Sequence, residues 1–201
     1  MSTKDEVLSR LLKADDYVSG EELAKEIGVS RAAIWKAIKS LEKSGYDIEG
    51  VTKCGYKLRQ NNRLVTAESV KALLENDIEV THFDTIDSTN TYCKRLLADG
   101  KQGEFLVTAD KQTAGRGRQG KSFYSPSETG IYFSLVIRPD TSLQNAVTAT
   151  TAASVAVCKA IEKITDLKPK IKWVNDVYLN GKKVCGILTE ATTDFESGTV
   201  D

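Results

Sequence analysis

The feature that most restricts the fold is a three-residue junction, Gly28-Val29-Ser30, between two helix-like segments. Gly28 can end one helix in a left-handed conformation, and Ser30 can cap the next. Upstream, Ser19 precedes Glu22 at the spacing of a capping box, which predicts where the first of these helices begins. This pattern predicts a helix-turn-helix motif.

The second helix of the motif is predicted from Arg31 to Lys43, and it has two contrasting faces. Ile34, Ile38 and Leu41 fall within about 60° of one another at about 100° per residue. The opposite face carries Ala32, Lys36, Lys39 and Lys43. A preceding helix has an apolar stripe at Val7, Leu8, Leu11 and Leu12, and short strands follow at 46–48 and 55–58. Together these segments predict a winged helix-turn-helix.

A helix-turn-helix reads DNA by laying its second helix in the major groove. We therefore predict a DNA-binding surface formed by Ser30, Arg31, Ala32, Trp35, Lys36, Lys39 and Lys43. The alternatives are a solvated lysine face and a protein-contact surface. Residues 1–58 carry 10 basic and 10 acidic side chains, so affinity should depend on pairing two such domains.

Composition excludes several classes of protein. Lys and Arg total 28 and balance the 28 Asp and Glu. The four cysteines are scattered, which argues against structural zinc and against a disulfide framework. The single histidine, His82, excludes a mechanism that needs two, and we assign no metal site. Charged residues near the start and a longest apolar stretch of only Ala146–Cys158 predict a cytoplasmic protein with no membrane partner.

After residue 58 the pattern changes. Residues 59–66 are polar and predict a linker, and Thr66 can cap a helix that runs to about Asn76. Beyond that point strands and helices mix. We predict strands at 82–86, 105–109, 131–137, 171–179 and 183–189, and helices at 91–98 and 143–164, the second mostly buried. Asn180-Gly181 predicts a type I′ turn between the last two strands. The predicted domains are 1–60, a connection at 61–79, and 80–201.

A loop from Gln112 to Lys121 concentrates glycine with positive charge. Its alternating glycines, Gly115, Gly117 and Gly120, predict a flexible segment without regular structure. Arginine grips carboxylates and phosphates in bidentate fashion, so the loop suits a ligand that carries both groups. The alternatives are RNA binding or a merely solvated loop.

Four motifs in order resemble those of biotin protein ligases. Gly115-Arg116-Gly117-Arg118-Gln119-Gly120 resembles the family's GRGRxG loop, and Lys172-Trp173-Val174-Asn175-Asp176 resembles its KWPND signature. Lys183 with Gly186-Ile187-Leu188 is similar to K-x-x-GIL, and Asp87-Ser88-Thr89-Asn90 matches DSTN. The winged helix at the front resembles that of the bifunctional ligase-repressors.

The resemblance implies an α+β protein: a winged helix-turn-helix followed by a mixed-sheet catalytic domain like that of class II aminoacyl-tRNA synthetases. It implies that biotin and ATP with Mg2+ form biotinyl-5′-AMP, and that biotin is then transferred to a lysine of the biotin carboxyl carrier domain of a carboxylase. It also implies that the adenylate acts as corepressor and that the holo homodimer binds a two-fold biotin operator DNA.

The resemblance also implies residue roles. The biotin site comprises Ser88, Thr89, Asn90, Gln112, Gly115, Arg116, Gly117, Arg118, Lys183 and Gly186. The ATP site comprises Arg118, Lys121, Phe123, Lys172, Asn175, Asp176 and Lys183, and the catalytic residues are Arg118, Lys183 and Asp176. We favour Lys183 over Lys182 because neighbours on a strand face opposite sides.

Alternatives stay open within this assignment. Ser88 or Thr89 can be a simple helix cap, and Asn175-Asp176 can be a turn. Asp176 can bind nucleotide or magnesium, or assist the incoming lysine. We predict that Trp173 belongs to the core.

The chain also departs from the family pattern. Val174 replaces proline, Lys121 replaces arginine, and Phe123 replaces the usual tryptophan. The chain ends at Thr199-Val200-Asp201, where family members continue, so we expect an incomplete catalytic domain. The rival functions are a transcription factor that only senses biotin and a lipoyl or octanoyl transferase.

Overall fold

The computed structural model of the chain describes residues 2–59, 65–138 and 146–192. The chain divides into two compact units, residues 1–83 with 106–108 and residues 84–105 with 109–201. Within the described ranges, no helix is both long enough and apolar enough to cross a membrane.

The first unit begins with three helices, α1 (Thr3–Lys13), α2 (Gly20–Ile27) and α3 (Arg31–Lys43). Each starts after a serine whose hydroxyl accepts the backbone N–H three residues on, namely Ser2, Ser19 and Ser30. Gly28 ends α2 with φ of 74°, in the left-handed region that favours glycine. The predicted helix-turn-helix is confirmed.

A two-stranded wing follows, formed by β1 (Ile48–Val51) and β2 (Gly55–Leu58). The strands are antiparallel, with Ile48 opposite Leu58. Val18 exchanges two backbone hydrogen bonds with Tyr56, each 2.9 Å long, and so ties the wing to the helices. Gly55 has φ of 114°, and a Cβ there would lie 2.1 Å from the Val18 carbonyl oxygen. Only glycine fits this position.

Helix α4 (Ala67–Leu73) packs on this winged domain. The Ser9 hydroxyl donates to the Ala72 carbonyl at 2.9 Å, and the Tyr46 and Thr66 hydroxyl oxygens lie 2.6 Å apart. The helix ends before the predicted Asn76 because Leu74 is already extended, with ψ of 139°. Most of the predicted linker, residues 60–64, lies outside the described residues.

One apolar cluster lies at the centre of the first unit. Its buried residues come from α1 to α4, the wing and the segment just before the wing: Val7, Leu8, Leu11, Leu23, Ala24, Ile34, Ala37, Ile38, Leu41, Tyr46, Ile48 and Ala72. The apolar stripes predicted for the first and third helices supply many of these side chains. Burial of these stripes therefore stabilises the helix arrangement.

Three strands, β3 (Glu79–Phe83), β4 (Phe105–Ala109) and β5 (Tyr132–Val136), form a sheet in the order β3-β4-β5. The strand predicted at 82–86 lies three residues earlier than expected. The chain bends at Asp84 and Thr85, and Ile86 instead forms a separate parallel bridge with Gln112. The Ile86 N–H donates to the Lys111 carbonyl at 3.1 Å.

The second unit contains α5 (Thr89–Ala98), a 3-10 turn (Arg118–Gly120) and α6 (Ala146–Ile164). Its last strands are β6 (Lys170–Lys172), β7 (Asp176–Leu179) and β8 (Lys182–Gly186), which form an antiparallel sheet in that order. Asn180 and Gly181 join β7 to β8 with φ of 49° and 78°. Both values are positive, as a type I′ turn requires.

Several predictions for this unit are wrong. The strand predicted at 183–189 ends at Gly186. The unbroken strand 171–179 is interrupted by a turn at 173–175, and Ile171 is exposed. Trp173 is 74% exposed and does not belong to a core of the described residues. Among the described side chains of α6, only Thr150 and Ser154 are buried. An apolar run shows that burial is possible, but packing partners decide which of its side chains are covered.

Candidate functional site

The beginning of α5 positions two adjacent hydroxyl groups differently. Ser88 is the N-cap, and its Oγ accepts the Thr91 N–H at 3.4 Å. Thr89 is the first helical residue and contacts Gln112 through both its backbone N–H, at 2.9 Å, and its hydroxyl, at 3.1 Å. The structure therefore gives Ser88 a capping role and brings Thr89 and Gln112 together.

The orientation of the Gln112 amide is determined by its neighbours. Its Nε2 donates to the Ser125 hydroxyl at 3.0 Å, and that hydroxyl donates to the Phe123 carbonyl at 3.1 Å. A carbonyl only accepts, so the Ser125 proton is committed and Ser125 must accept from Gln112. The Gln112 Oε1 consequently faces Thr89, whose hydroxyl donates to it.

Asn90 extends this network to a charged pair. Its Nδ2 donates to Glu190 Oε2 at 3.1 Å and to the Leu188 carbonyl at 3.3 Å, while its Oδ1 faces the buried Ser134 hydroxyl. Lys94 Nζ lies 2.5 Å from Glu190 Oε1. Burial alone raises the pKa of Glu190, but hydrogen bonds from Lys94 and Asn90 outweigh it and hold that pKa below its ordinary value.

The glycine-arginine loop is more regular than predicted. The Gly117 N–H donates to the Lys121 carbonyl at 2.7 Å, and the Phe123 N–H donates to the Gly115 carbonyl at 2.8 Å. Arg116 and Ser122 form an isolated antiparallel β-bridge, and residues 118–120 form the 3-10 turn. The expectation of no regular structure is wrong, because the glycines permit a tight hairpin-like turn.

Gly115 is required by close approach and not by its backbone angles. A Cβ at this position would lie 2.5 Å from the Phe123 carbonyl oxygen and 2.7 Å from Ser125 Oγ. The same Cβ would stand 3.2 Å from Gln112 Nε2. Gly115 therefore lets the base of the loop lie directly against the polar network.

Arg118 reaches from the loop to the turn before β7. Its Nη1 donates to Asn175 Oδ1 at 2.9 Å. The Asn175 amide in turn donates to Asp176 Oδ1 at 2.9 Å, and its carbonyl accepts the Ile187 N–H at 2.8 Å. Asn175 thus joins the loop, β7 and the segment after β8.

Lys183 and Asp176 form a close charged pair beside the loop. Lys183 Nζ lies 2.7 Å from Asp176 Oδ1 and 5.9 Å from the centre of the Phe123 ring. The pairing of β7 with β8 shifts register between Val177 and Tyr178 and places Lys183 opposite Tyr178. A Cβ on Gly186 would lie 3.0 Å from both Lys183 Nζ and Phe123 Cε2. Lys183, Phe123 and Gly186 are therefore in mutual contact.

Other predicted site residues lie apart from this cluster. The Lys172 ammonium lies 5.6 Å from the centre of the Tyr178 ring, and Lys121 contributes backbone hydrogen bonds to the loop. Arg116 faces Glu190, with 3.8 Å between Nη2 and Oε1. Lys182 is exposed and lies opposite Leu179.

Sequence reasoning missed four contributors to the network: Ser125, Ser134, Lys94 and Glu190. Ser125 and Ser134 are buried polar residues, at 3% and 9% exposure, and each is satisfied by the network. Single serines and a lone Lys or Glu carry no local signal of this kind. The position of Glu190 two residues after the Gly-Ile-Leu motif is the only available hint in the sequence.

The outer face of α3 presents the predicted DNA-binding residues. Arg31, Ala32, Lys36 and Lys43 are exposed, and Trp35 is 54% exposed. Ser30 caps the helix through a 3.2 Å contact with the Ala33 N–H. Lys39 is paired with Glu42 at 2.6 Å. An exposed pair of this kind is weak enough to yield to a phosphate.

Fold and site together define a class of protein in which a winged helix-turn-helix precedes an α+β unit with a cationic site beside a polar network. Two family models match the chain: "HTH domain" over residues 3–57 and "Biotin/lipoate A/B protein ligase family" over residues 82–200. The chain belongs to the biotin/lipoate A/B protein ligase family. The resemblance and the fold class drawn from the sequence are confirmed.

Curated relatives agree with both matches. The chain is 37% identical to the "Bifunctional ligase/repressor BirA" of Bacillus subtilis (strain 168) over 179 residues, which cover 88% of this chain and 55% of that protein. It is 34% identical to the protein of that name from Escherichia coli (strain K12), over 92% of this chain and 57% of that protein. The chain thus spans about half the length of these relatives.

A solved structure supports the fold. The biotin protein ligase of Leishmania major in complex with biotin matches with a TM-score of 0.50 at 22% identity. The match covers 60% of this chain and 53% of that chain.

Proposed function

We propose that this chain carries the biotin-activating site of an ATP-dependent biotin protein ligase. The carboxylate of biotin attacks the α-phosphorus of ATP, the bond to the bridging oxygen breaks, and biotinyl-5′-AMP and pyrophosphate form. A lysine amine on the biotin carboxyl carrier domain of a carboxylase then attacks the acyl carbon, and AMP leaves. The family membership and the identity to curated ligase-repressors support this assignment.

The observation that carries the proposal is the Lys183–Asp176 pair beside Phe123 and Gly186. Adenylation brings a carboxylate against a negatively charged phosphate. A preorganised ammonium offsets that repulsion and meets the charge that grows on the phosphoryl oxygens. We assign this role to Lys183, with Asp176 holding its ammonium in place. Magnesium would arrive with ATP, and we assign it no protein ligand.

The polar network is our proposed site for the ureido ring of biotin. That ring offers two N–H donors and one carbonyl acceptor, so its partners must be short hydroxyl and amide groups. Thr89, Asn90 and Gln112 provide such groups. Ser88 supports this site as the cap of α5. Gly115 permits close approach to the ligand.

We propose that the glycine-arginine loop covers the carboxylate of biotin and the phosphates of ATP. Arg116 and Arg118 are the cations that would meet the ligand, with Gly117 between them, and both contact residues of the second unit across the loop. Asn175 would be positioned by Arg118. We further propose Phe123 as the adenine contact, and Lys121 and Lys172 as outer contacts to ATP.

The first unit is proposed to make the protein a biotin-responsive repressor. The exposed face of α3 would enter the major groove, with its lysines on phosphates. Biotinyl-5′-AMP would act as corepressor by favouring a homodimer that binds a two-fold operator. Pairing two winged domains supplies the phosphate contacts that one electrically balanced domain lacks.

The test is exchange of radiolabelled pyrophosphate into ATP with biotin or lipoate as the acid. Biotin-dependent exchange without lipoate-dependent exchange supports the proposal. Exchange with lipoate would indicate a lipoyl transferase. Biotin binding without any exchange would indicate a transcription factor that only senses biotin.

A further inference from the structure

We propose that Glu190 is a positioning residue that orients Asn90 toward the ureido end of biotin. The inference rests on the proposed function and names a residue that the sequence motifs do not include. Glu190 acts through Asn90, because its own carboxylate is occupied by Lys94 and by the Asn90 amide.

The oxygen and nitrogen ends of the Asn90 amide are alike in size and shape, so the hydrogen-bond partners decide its orientation. Glu190 Oε2 at 3.1 Å and the Leu188 carbonyl at 3.3 Å are both pure acceptors. Together they occupy both N–H groups of Asn90. The Asn90 Oδ1 is therefore directed at Ser134.

The direction of the protons then follows along the network. Thr89 donates its hydroxyl proton to Gln112 Oε1, so its oxygen can only accept from Ser134, 2.7 Å away. Ser134 has one proton to share between Thr89 Oγ1 and Asn90 Oδ1. The three oxygens of Thr89, Ser134 and Asn90 are therefore rich in acceptor lone pairs.

An acceptor-rich surface selects a ligand that donates hydrogen bonds. The ureido ring of biotin presents N–H groups, whereas the dithiolane ring of lipoate presents none. Orientation of Asn90 by Glu190 is thus a determinant of which acid the site accepts. A reversed Asn90 amide would present N–H groups to the ligand's own N–H groups.

The contact with Lys94 explains why residue 190 must carry a carboxylate. A carboxylate has two acceptor oxygens, one for Lys94 at 2.5 Å and one for Asn90 at 3.1 Å. Glutamine has only one oxygen, and the Lys94 ammonium competes for it more strongly than a neutral amide does. In Glu190→Gln the remaining NH2 group would face Asn90 and favour the reversed amide.

The experiment measures biotin affinity by calorimetry and the KM for ATP by pyrophosphate exchange. Glu190→Gln should weaken biotin binding by about 10- to 100-fold, the usual effect of losing a hydrogen bond to a charged group. The KM for ATP and the thermal midpoint should stay close to those of the parent. Dethiobiotin, which keeps the ureido ring, should lose the same factor as biotin.

A double variant that also removes Lys94 tests the proposal more sharply. In Lys94→Met combined with Glu190→Gln, the nearest competitor for the glutamine oxygen is gone, because Arg116 Nη2 lies 3.8 Å from Glu190 Oε1 and Lys94 Nζ only 2.5 Å. The oxygen is then available to Asn90, so biotin affinity should recover by at least about tenfold over Glu190→Gln alone. Glu162→Gln, the same change on the exposed face of α6, is the matched control and should bind biotin like the parent.

The possible results distinguish a positioning role of Glu190 from a structural one and from failure of the proposed function. A Glu190→Gln variant that binds biotin like the parent overturns the positioning role, as does a double variant that shows no recovery. Equal losses for biotin and ATP with a lowered thermal midpoint would make Glu190 a structural residue. A parent chain that binds no biotin overturns the proposed function and this inference with it.

Discussion

The two units arrange their functional groups differently. In the first unit, the apolar cluster that includes Leu8, Ile34 and Leu41 lies inside, and the predicted DNA-binding side chains lie on the opposite face of α3. In the second unit, the candidate site residues hydrogen-bond to one another and also join separate elements. Gln112 and Asn175, for example, each connect segments distant in the chain.

This difference has a consequence for substitutions. A side chain on the outer face of α3 touches little that holds the fold, so its loss should change binding and leave stability alone. A side chain within the polar network has partners on several elements, and its loss leaves some of them without a hydrogen bond. Lys183 is a useful exception, because its side chain is partly exposed and its described ion-pair partner is Asp176.

The largest expected effect is that of Lys183→Ala. We expect the biotin-dependent exchange rate to fall by about 10²–10³, or roughly 3–4 kcal/mol, because a preorganised cation is lost at the developing charge. Biotin affinity should change far less, since Thr89 and Gln112 remain. Lys182→Ala is the control and should exchange at nearly the parent rate. Equal loss in both variants would rule out the assigned role.

Arg118→Gly should give the next largest effect. The variant loses the 2.9 Å hydrogen bond to Asn175 together with the positive charge over the ligand. We expect biotinyl-adenylate to dissociate about tenfold faster, on the order of one charge-assisted hydrogen bond. Release of labelled adenylate into a chase measures this rate, and retention equal to that of the parent would contradict the proposed cover.

On the first unit, Lys36→Ala combined with Lys39→Ala should weaken binding to a two-fold operator and flatten its salt dependence. Two phosphate contacts per subunit would be lost, each worth about 0.9 in the logarithmic salt slope. Biotin-dependent exchange of pyrophosphate into ATP should be unaffected. Lys13→Ala, exposed at the end of α1, serves as the control. An unchanged slope would show that this face of α3 does not meet DNA.

The smallest effect compares one chemical change in both units. Ile34→Val removes a methylene from the fully buried core and should cost about 0.5–1.5 kcal/mol of unfolding free energy. Ile131→Val removes the same group where the side chain is 69% exposed, and should be nearly neutral. Denaturant titration measures both. A comparable loss at Ile131 would mean that this residue is covered in solution.

Much of the first unit could be predicted because its signals are local. A serine cap acts over three residues, and the left-handed conformation of Gly28 depends on its own φ alone. The apolar stripe of α3 depends only on helical spacing. These features require no knowledge of the rest of the chain. The order of the four motifs likewise indicates the ligase family from the sequence alone.

The candidate site depended on tertiary structure. Glu190 lies 100 residues from Asn90, and Ser134 lies 45 residues from Thr89, so no local pattern joins them. Trp173 shows the same limit, because its apolar ring suggests burial while the turn at 173–175 leaves it exposed.

Residue types and short spacings therefore specified the helices, the winged motif and the family. Only the folded chain decided which lysine meets Asp176 and which way Asn90 points. The shift in register between Val177 and Tyr178 places Lys183 at the carboxylate, and long-range acceptors orient the amide. Capping and helical periodicity act within a few residues, whereas strand register and proton direction depend on partners far along the chain.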